Sequence, residues 1–244
     1  MGEHVVLEGA TNFRDLGGYA TASGQMTKRG RIFRSDALHR LTDNDHRRVS
    51  ELGLRLVCDL RYSEEREREP SRLPDTVEVL HVGLATRPDE SFADSLDFEQ
   101  RTEANALTYL TANYRQYPHL YAGAYRTILK RLSDLEDGSM VIHCTAGKDR
   151  AGTAAAMVLL TLGVSYDTVL EDYLKTNLYW DRGDRPPGDW PRDVVEAIFT
   201  ARAEYLNAAL GVIDTEFGSF ARYLSEVVGF SESEQSALKA RMLE

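Results

Sequence analysis

Residues 139–163, SMVIHCTAGKDRAGTAAAMVLLTLG, limit the fold more than any other part of the chain. SMVIH has the length and apolar character of a buried strand. The alanine-rich run that follows has the length of a helix and stops at Gly163. A strand that enters a helix through so short a loop forms a βα unit, with the helix laid back on the sheet. GRIFRSDAL, LRLVCDLR and VEVLHVGL read as further strands, the first with a turn. LTDNDHRRVSELG reads as a helix capped by Thr42 or Asp43 and stopped at Gly53. SEEREREP is a short, charged, exposed helix. The pattern is helical from Asn105 to Leu132 with a break near Pro118, again over SYDTVLEDYLKTNLYW, and from Asp193 to the end.

Strands alternating with helices, then helices alone, predict an α/β fold. Its central sheet is mainly parallel and flanked by helices, and its C-terminal part is helical. The 244 residues are expected to form a single domain, 1–244, with a flexible acidic insertion at about 86–104 and a Gly/Pro-rich loop, DRGDRPPGDWP. No run of 18 apolar residues is present, so no stable membrane insertion is expected. The N-terminus lacks the basic and apolar regions of a Sec signal, which makes the cytoplasm the default and leaves open secretion by a route that reads no such signal. The net charge of -10 argues against nucleic acid as a partner. It still allows an anionic substrate where Arg14, Lys28, Arg29, Arg31, Arg34, Lys148 and Arg150 concentrate positive charge. Cys58 and Cys144 form neither a disulfide framework nor a CxxC pair, and the histidines show no metal spacing, so no metal and no cofactor are expected.

CTAGKDR leads straight into a helix N-terminus, where backbone N–H groups lack intrahelical partners and carry the positive end of the dipole. A tight loop turns such groups inward as an anion-binding nest, and Gly147 supplies the conformation that the turn requires. Thr145, Ala146, Gly147, Lys148, Asp149 and Arg150 are therefore the candidate phosphate-binding residues, with the Arg150 fork able to hold two oxygens. Cys144 at the base of the nest is expected to fall below the ordinary thiol pKa of about 8.5. It would then attack a phosphate ester and form a thiophosphate, which water hydrolyses. The competing reading makes Cys144 a small apolar residue at a strand end. Four fixed positions, His143, Cys144, Gly147 and Arg150, in strand–loop–helix context favour catalysis. The leaving oxygen needs an acid. Asp149 is the candidate and works only with substrate bound, when neighbouring negative charge favours the protonated carboxyl. Its alternative role is a helix cap. Asp59 is the competitor, and DWPRD, Asp189 to Asp193, lies on the wrong side of the cysteine in the sequence.

HCTAGKDRAG, with TNFRDLGGY, GRIFRSD, VCDLRYSEEREREP, DYLKTN and RAEYLNAALGVIDTEFGSFARYL, resembles the bacterial atypical (lipid-like) tyrosine phosphatases typified by mycobacterial protein tyrosine phosphatase B. The resemblance runs from Thr11 to the final helix. It implies a cysteine-phosphatase-like fold without metal, with Cys144 as nucleophile, Arg150 and the loop amides as phosphate clamp, and Asp149 as acid. It also implies phosphotyrosine proteins as substrates, with phosphoserine, phosphothreonine and phosphoinositides as further candidates. Lys148 would meet the additional phosphates. Two departures stand out. Ala151 occupies a position where the family often has Thr or Ser, and Thr153 is two residues further on. Slower phosphoenzyme breakdown follows, or a substitute donor such as His143 or water. YWDRGDRPPGDWPRDVVEAIF, about 180–200, is the nearest counterpart of the family's lid and reads as shorter or looser.

Arg61 is read either as a substrate contact or as a partner of Glu64 or Glu65. Arg14 and Asp15 are read as braces for the loop. Cys58 is a core cysteine, with a reversible disulfide to Cys144 as the lesser reading. The tyrosines from Tyr109 to Tyr125 are read as packing. The functions weighed are a tyrosine or dual-specificity phosphatase, a phosphate-binding module with little turnover, and a rhodanese-like sulfur transferase. The residues favour the first.

Overall fold

The computed structural model describes residues 2–88, 90–183 and 189–244. In chain order its elements are β1 (Arg14–Asp15), β2 (Ile32–Ser35), α1 (Asp43–Glu51), β3 (Leu54–Asp59), α2 (Ser63–Arg68), β4 (Glu78–His81), α3 (Phe92–Ser95), α4 (Glu103–Leu120), α5 (Ala122–Asp134), β5 (Ser139–His143), α6 (Arg150–Leu162), α7 (Tyr166–Leu174), α8 (Thr176–Tyr179), α9 (Arg192–Phe199), α10 (Ala203–Phe217), α11 (Phe220–Arg222) and α12 (Glu232–Met242). The sheet order is β1-β2-β5-β3-β4. Only β1 runs antiparallel to its neighbour. The expected mainly parallel α/β sheet is thus present. β5 is its central strand, and His143 pairs with Ser35 on one side and Asp59 on the other. The loop after β5 therefore emerges at the carboxyl end of three adjacent parallel strands, where open α/β sheets place their ligands.

Alternation along β5 sorts its side chains between two cores. Met140 and Ile142 face the larger one, with Leu56, Cys58, Tyr125, Met157 and Tyr205. Val141 faces the smaller one, with Phe13, Phe33, Val49 and Val57. The run 151–162 is buried almost throughout, which is why it carries alanine and leucine where a surface helix would carry charge. Gly163 ends it in the left-handed conformation. The helix broken near Pro118 continues to Leu120 and yields at Tyr121.

Two readings need adjustment. The helix SEEREREP is not wholly exposed, because Glu65 is buried. The stretch 86–104 contributes α3, whose Phe92 is buried against Tyr109 and Trp190 with ring centroids 5.6 and 5.9 Å away. One aromatic anchor leaves no periodicity in the sequence. Asp89 of that stretch lies outside the described residues, as do 184–188 of the expected lid. Among the described residues no helix is long and apolar enough to cross a membrane.

Beneath the signature loop lies a buried ionic cluster. Arg14 and Arg34, both fully buried, each reach Asp172 of α7 at 3.1 Å. Tyr19 Oη donates to Asp172 at 2.9 Å, Arg14 donates to the Asn12 side chain at 2.6 Å, and Arg34 to Thr176 Oγ1 at 3.1 Å. Burial opposes the Asp172 charge, yet the two guanidiniums hold its carboxyl below the usual range. Burial, and Arg14 beside it, push Arg34 down to about 10, which leaves it charged at neutral pH. Removing the shared anion strands two buried cations. Asp172→Ala is expected to cost about 3–5 kcal/mol, read as a lower urea midpoint at pH 7.

Candidate active site

The loop from Cys144 to Asp149 is shaped from outside. Ala37 N–H donates to the Thr145 carbonyl at 3.0 Å, and Asn12 Nδ2 to the Ala146 carbonyl at 2.9 Å. Arg34 donates to the Gly147 and Lys148 carbonyls at 2.8 and 3.2 Å. A peptide's N–H points opposite its C=O, so carbonyls tied outward leave the amides facing the loop interior. The N-terminus of the 13-residue α6 adds its dipole. Gly147 sits at φ 67°, and a Cβ there would come within 2.5 Å of the Ser35 carbonyl oxygen and 2.7 Å of Asn12 Nδ2. Both the conformation and the space require glycine.

Cys144 is 2% exposed at the base of this loop. The expectation of an acidified thiol is not met. Burial pushes the Cys144 thiol up, and the opposing Arg150 charge and Ala151 amide do not offset it. The Asp149 and Glu65 carboxylates add to the effect of burial, and Glu65 also occupies Arg150. The Glu65 carboxylate takes Arg150 Nη1 at 2.5 Å and Nη2 at 2.9 Å, so the guanidinium reaches the sulfur already paired. Thr145 Oγ1 and the Tyr62 amide complete the carboxylate's shell at 2.5 and 2.8 Å. Arg150 also lies 4.4 Å from the centroid of the Tyr62 ring. Glu65 holds the Nη1–Nη2 edge, which leaves the Nε edge for an oxyanion.

The remaining candidates separate cleanly. Asp149 lines the cavity; its Oδ1 accepts from Tyr114 Oη at 2.7 Å and lies 3.3 Å from Lys148 Nζ. Asp59 does not line it. Arg61 binds Asp59 at 2.7 Å, and His143 Nε2 lies 3.5 Å away. Burial is outweighed by His143 and Arg61, and Asp59 is held far below the carboxylate range, an ionised group unsuited to proton donation. Arg61, buried, pairs with neither Glu64 nor Glu65 but with Asp59, the Glu69 carbonyl and Ser71. It does not line the cavity. The His143 ring turns to Asp59 and the Cys144 carbonyl, away from the donor role considered for it. Lys148, 2% exposed, lines the cavity and sets its ammonium among the Ile198 carbonyl, the Tyr205 ring and the Asp149 carboxylate. Thr153 Oγ1 donates to the Asp149 carbonyl at 2.9 Å, so the hydrogen bond to Cys144 comes from the Ala151 backbone. Arg14 acts beneath the loop through Asn12, whereas Asp15 instead accepts from the Gly17 and Gly30 amides. Lys28 and Arg31 bind the Arg241 and Leu135 carbonyls and do not line the cavity. Cys58 donates to the Met140 sulfur at 3.4 Å, and burial pushes its thiol up to about 12.

Sequence reasoning missed Glu65, Tyr114, Asn12 and Asp172 as parts of the site, and named Arg34 only within a positive cluster. Four of these lie inside the flanking motifs; Tyr114 has no such signal. The loop opens into a cavity of about 630 Å³. Cys144, Asp149 and Arg150 line it, with Tyr62, Tyr109, Tyr117 and Phe92 as aromatic walls and Arg68 and Arg87 as cations. Trp180, Trp190, Ile198 and Phe199 close it from the stretch about 180–200. The DWPRD motif thus contributes Trp190; its Asp193 caps the Val194 amide. Among the described residues no group of three or more His, Cys, Asp or Glu side chains could hold a metal ion.

A cysteine sulfur at the base of a loop whose carbonyls are tied outward, with an arginine at the helix start, is the arrangement that the geometry puts on view. The chain belongs to the tyrosine phosphatase family, whose model matches residues 5–244. That membership makes it a phosphoric monoester hydrolase. It is 32% identical to the triple specificity protein phosphatase PtpB of Mycobacterium tuberculosis, over 97% of this chain and 98% of that protein. It is 29% identical to a putative tyrosine-protein phosphatase of Cupriavidus necator, over 93% of this chain and 85% of that one. A more remote match is P. aeruginosa TpbA, at 19% identity and a TM-score of 0.36, covering 80% of this chain and 96% of that chain.

Glu65 has an unfolded carboxyl value of 4.5; burial would raise it, but Arg150 holds it at about 2 in the fold. A lowered value contributes stability above the unfolded pKa that is lost as pH falls through the folded one. The stability difference between wild type and Glu65→Gln is therefore expected to be full above pH 4.5 and to shrink between about pH 4.5 and pH 2, by about 3 kcal/mol. Urea midpoints across that range check it.

Proposed function

We propose that this chain hydrolyses phosphotyrosine and related phosphate monoesters through a phosphocysteine intermediate, on one domain spanning the chain. Cys144 gives up its thiol proton to solvent as substrate binds, and the thiolate attacks phosphorus while the loop amides and the Nε edge of Arg150 hold the phosphoryl oxygens. Asp149 protonates the leaving oxygen, then takes a proton from the water that hydrolyses the phosphocysteine. The observation that carries this reading is the set of outward-tied carbonyls around Cys144, which leaves an oxyanion nest with a nucleophile at its base. With Ala151 in place of a hydroxyl-bearing residue, the sulfur leaves phosphorus supported by the Ala151 amide, and phosphoenzyme breakdown is the slow step. Phosphoinositides fit the same reading. Aromatic walls can take apolar substrate parts, and Arg68 and Arg87 can meet a further phosphate.

A second reading is a phosphate-binding module with little turnover, favoured by burial pushing the Cys144 thiol up. Hydrolysis of p-nitrophenyl phosphate separates the two. Wild type is expected to turn over, Cys144→Ser to be inactive, and Asp149→Asn to lose about 10²–10⁴-fold in kcat. A larger loss for Asp59→Asn than for Asp149→Asn would overturn the acid assignment. No turnover by wild type would leave the binding module.

A further inference from the structure

Asp149 is not held by the signature loop alone. Tyr114, fully buried on α4, donates from Oη to Asp149 Oδ1 at 2.7 Å. Its oxygen lies 2.6 Å from Tyr173 Oη, on α7. Burial pushes both phenols well above their ordinary range. Each therefore stays neutral and brings one proton. With the Tyr114 proton on Asp149, the Tyr173 proton must go to Tyr114, which sets a single direction: Tyr173 to Tyr114 to Asp149. Lys148 Nζ, 3.3 Å from the same Oδ1, adds to it. Among the described residues no hydrogen bond is made to Oδ2.

We propose that Tyr114, backed by Tyr173, is a positioning residue that commits Oδ1 of Asp149 to the protein and leaves Oδ2 as the oxygen that carries the transferable proton. This rests on Asp149 being the general acid. Oδ1 is an acceptor in both states of the carboxyl, as the carbonyl oxygen of the acid and as half of the carboxylate, so the tyrosine bond survives the reaction. As the S–P bond forms and the P–O bond breaks, its electron pair goes to the leaving oxygen, which takes the Oδ2 proton. Asp149 is left as the carboxylate. A hydrogen bond to an ionised acceptor is stronger than one to a neutral acceptor, so Tyr114 favours proton release at that moment. In the second step water attacks phosphorus, its proton goes to Oδ2, and the S–P bond breaks.

The test is leaving-group dependence. A poor leaving group needs the proton; a good one needs it less. Tyr114→Phe removes one oxygen and keeps the ring. It is expected to lower kcat/KM on phenyl phosphate by about tenfold, the size of one hydrogen bond, and to lower it less on p-nitrophenyl phosphate, because kcat/KM reports the leaving-group step even when phosphoenzyme breakdown limits kcat. The affinity for orthovanadate is expected to stay within about twofold, since the nest is untouched. Tyr173→Phe, one bond further back, is expected to show the same pattern more weakly, and serves if Tyr114→Phe does not fold. Asp149→Asn is the reference. If it shows the leaving-group dependence and both tyrosine variants lose equally on the two substrates, or lose nothing, the positioning role is overturned while the acid assignment stands. If Asp149→Asn itself shows none, the acid assignment falls and the positioning role with it.

Discussion

Everything at the site depends on carbonyls being pulled away from it. Arg34 takes two of them, at Gly147 and Lys148, and Asn12 takes the one between Thr145 and Gly147. Without those bonds nothing would keep the loop amides facing one point, because a short glycine-bearing loop has other conformations of similar energy. The two arginines are in turn fixed by Asp172, which comes from a helix more than 130 residues away in sequence from either. The geometry of the nest is thus specified by β1, β2 and α7 together, and by residues that never meet a ligand. Burying two cations with one anion also leaves a fixed positive charge directly under the loop. In a low-dielectric interior such a charge acts over several ångströms with little screening.

That arrangement explains how much of the site could be read from the chain alone. Cys144, Gly147 and Arg150 are legible because their spacing is local: one strand end, one turn and one helix start fix all three. The βα unit and the mainly parallel sheet are legible for the same reason, since apolar runs and their stops are short-range signals. Glu65 is not. SEEREREP holds four glutamates, and nothing in a charged helix says which one turns inward. Only the Arg150 guanidinium, 85 residues later, selects Glu65. Tyr114 is hidden differently. It is one of several tyrosines between Tyr109 and Tyr125, most of which do pack the core, and its hydroxyl is distinguished only by what α4 lies against.

Asp59 shows the converse, a residue whose type suggested chemistry and whose surroundings withdraw it. Asp59 ends β3 beside His143, an ideal position for an acid by register. Arg61, two residues on, folds back and neutralises it. Lys148 sits inside the signature loop, but its ammonium is drawn to the last turn of α9 and the face of Tyr205. It links the loop to the segment that closes the cavity.

The consequence is a site whose charged side chains are largely balanced before substrate arrives. Arg150 is paired with Glu65, Lys148 stands beside Asp149, and Asp172 offsets one of the two buried arginines. A chain of net charge -10 attracts no anion by its bulk field. What remains to bind a phosphate dianion is the fixed part: inward amides, the α6 dipole and the surplus charge of the arginine pair. Fixed dipoles of this kind need no reorganisation when charge appears on them. They also explain the state of Cys144. The amides are placed for a tetrahedral oxyanion held above the sulfur, and with Arg150 already shared they do not outweigh the desolvation of a thiolate. Burial of the sulfur thus pushes the free thiol up, against the pull of Arg150 and the Ala151 amide.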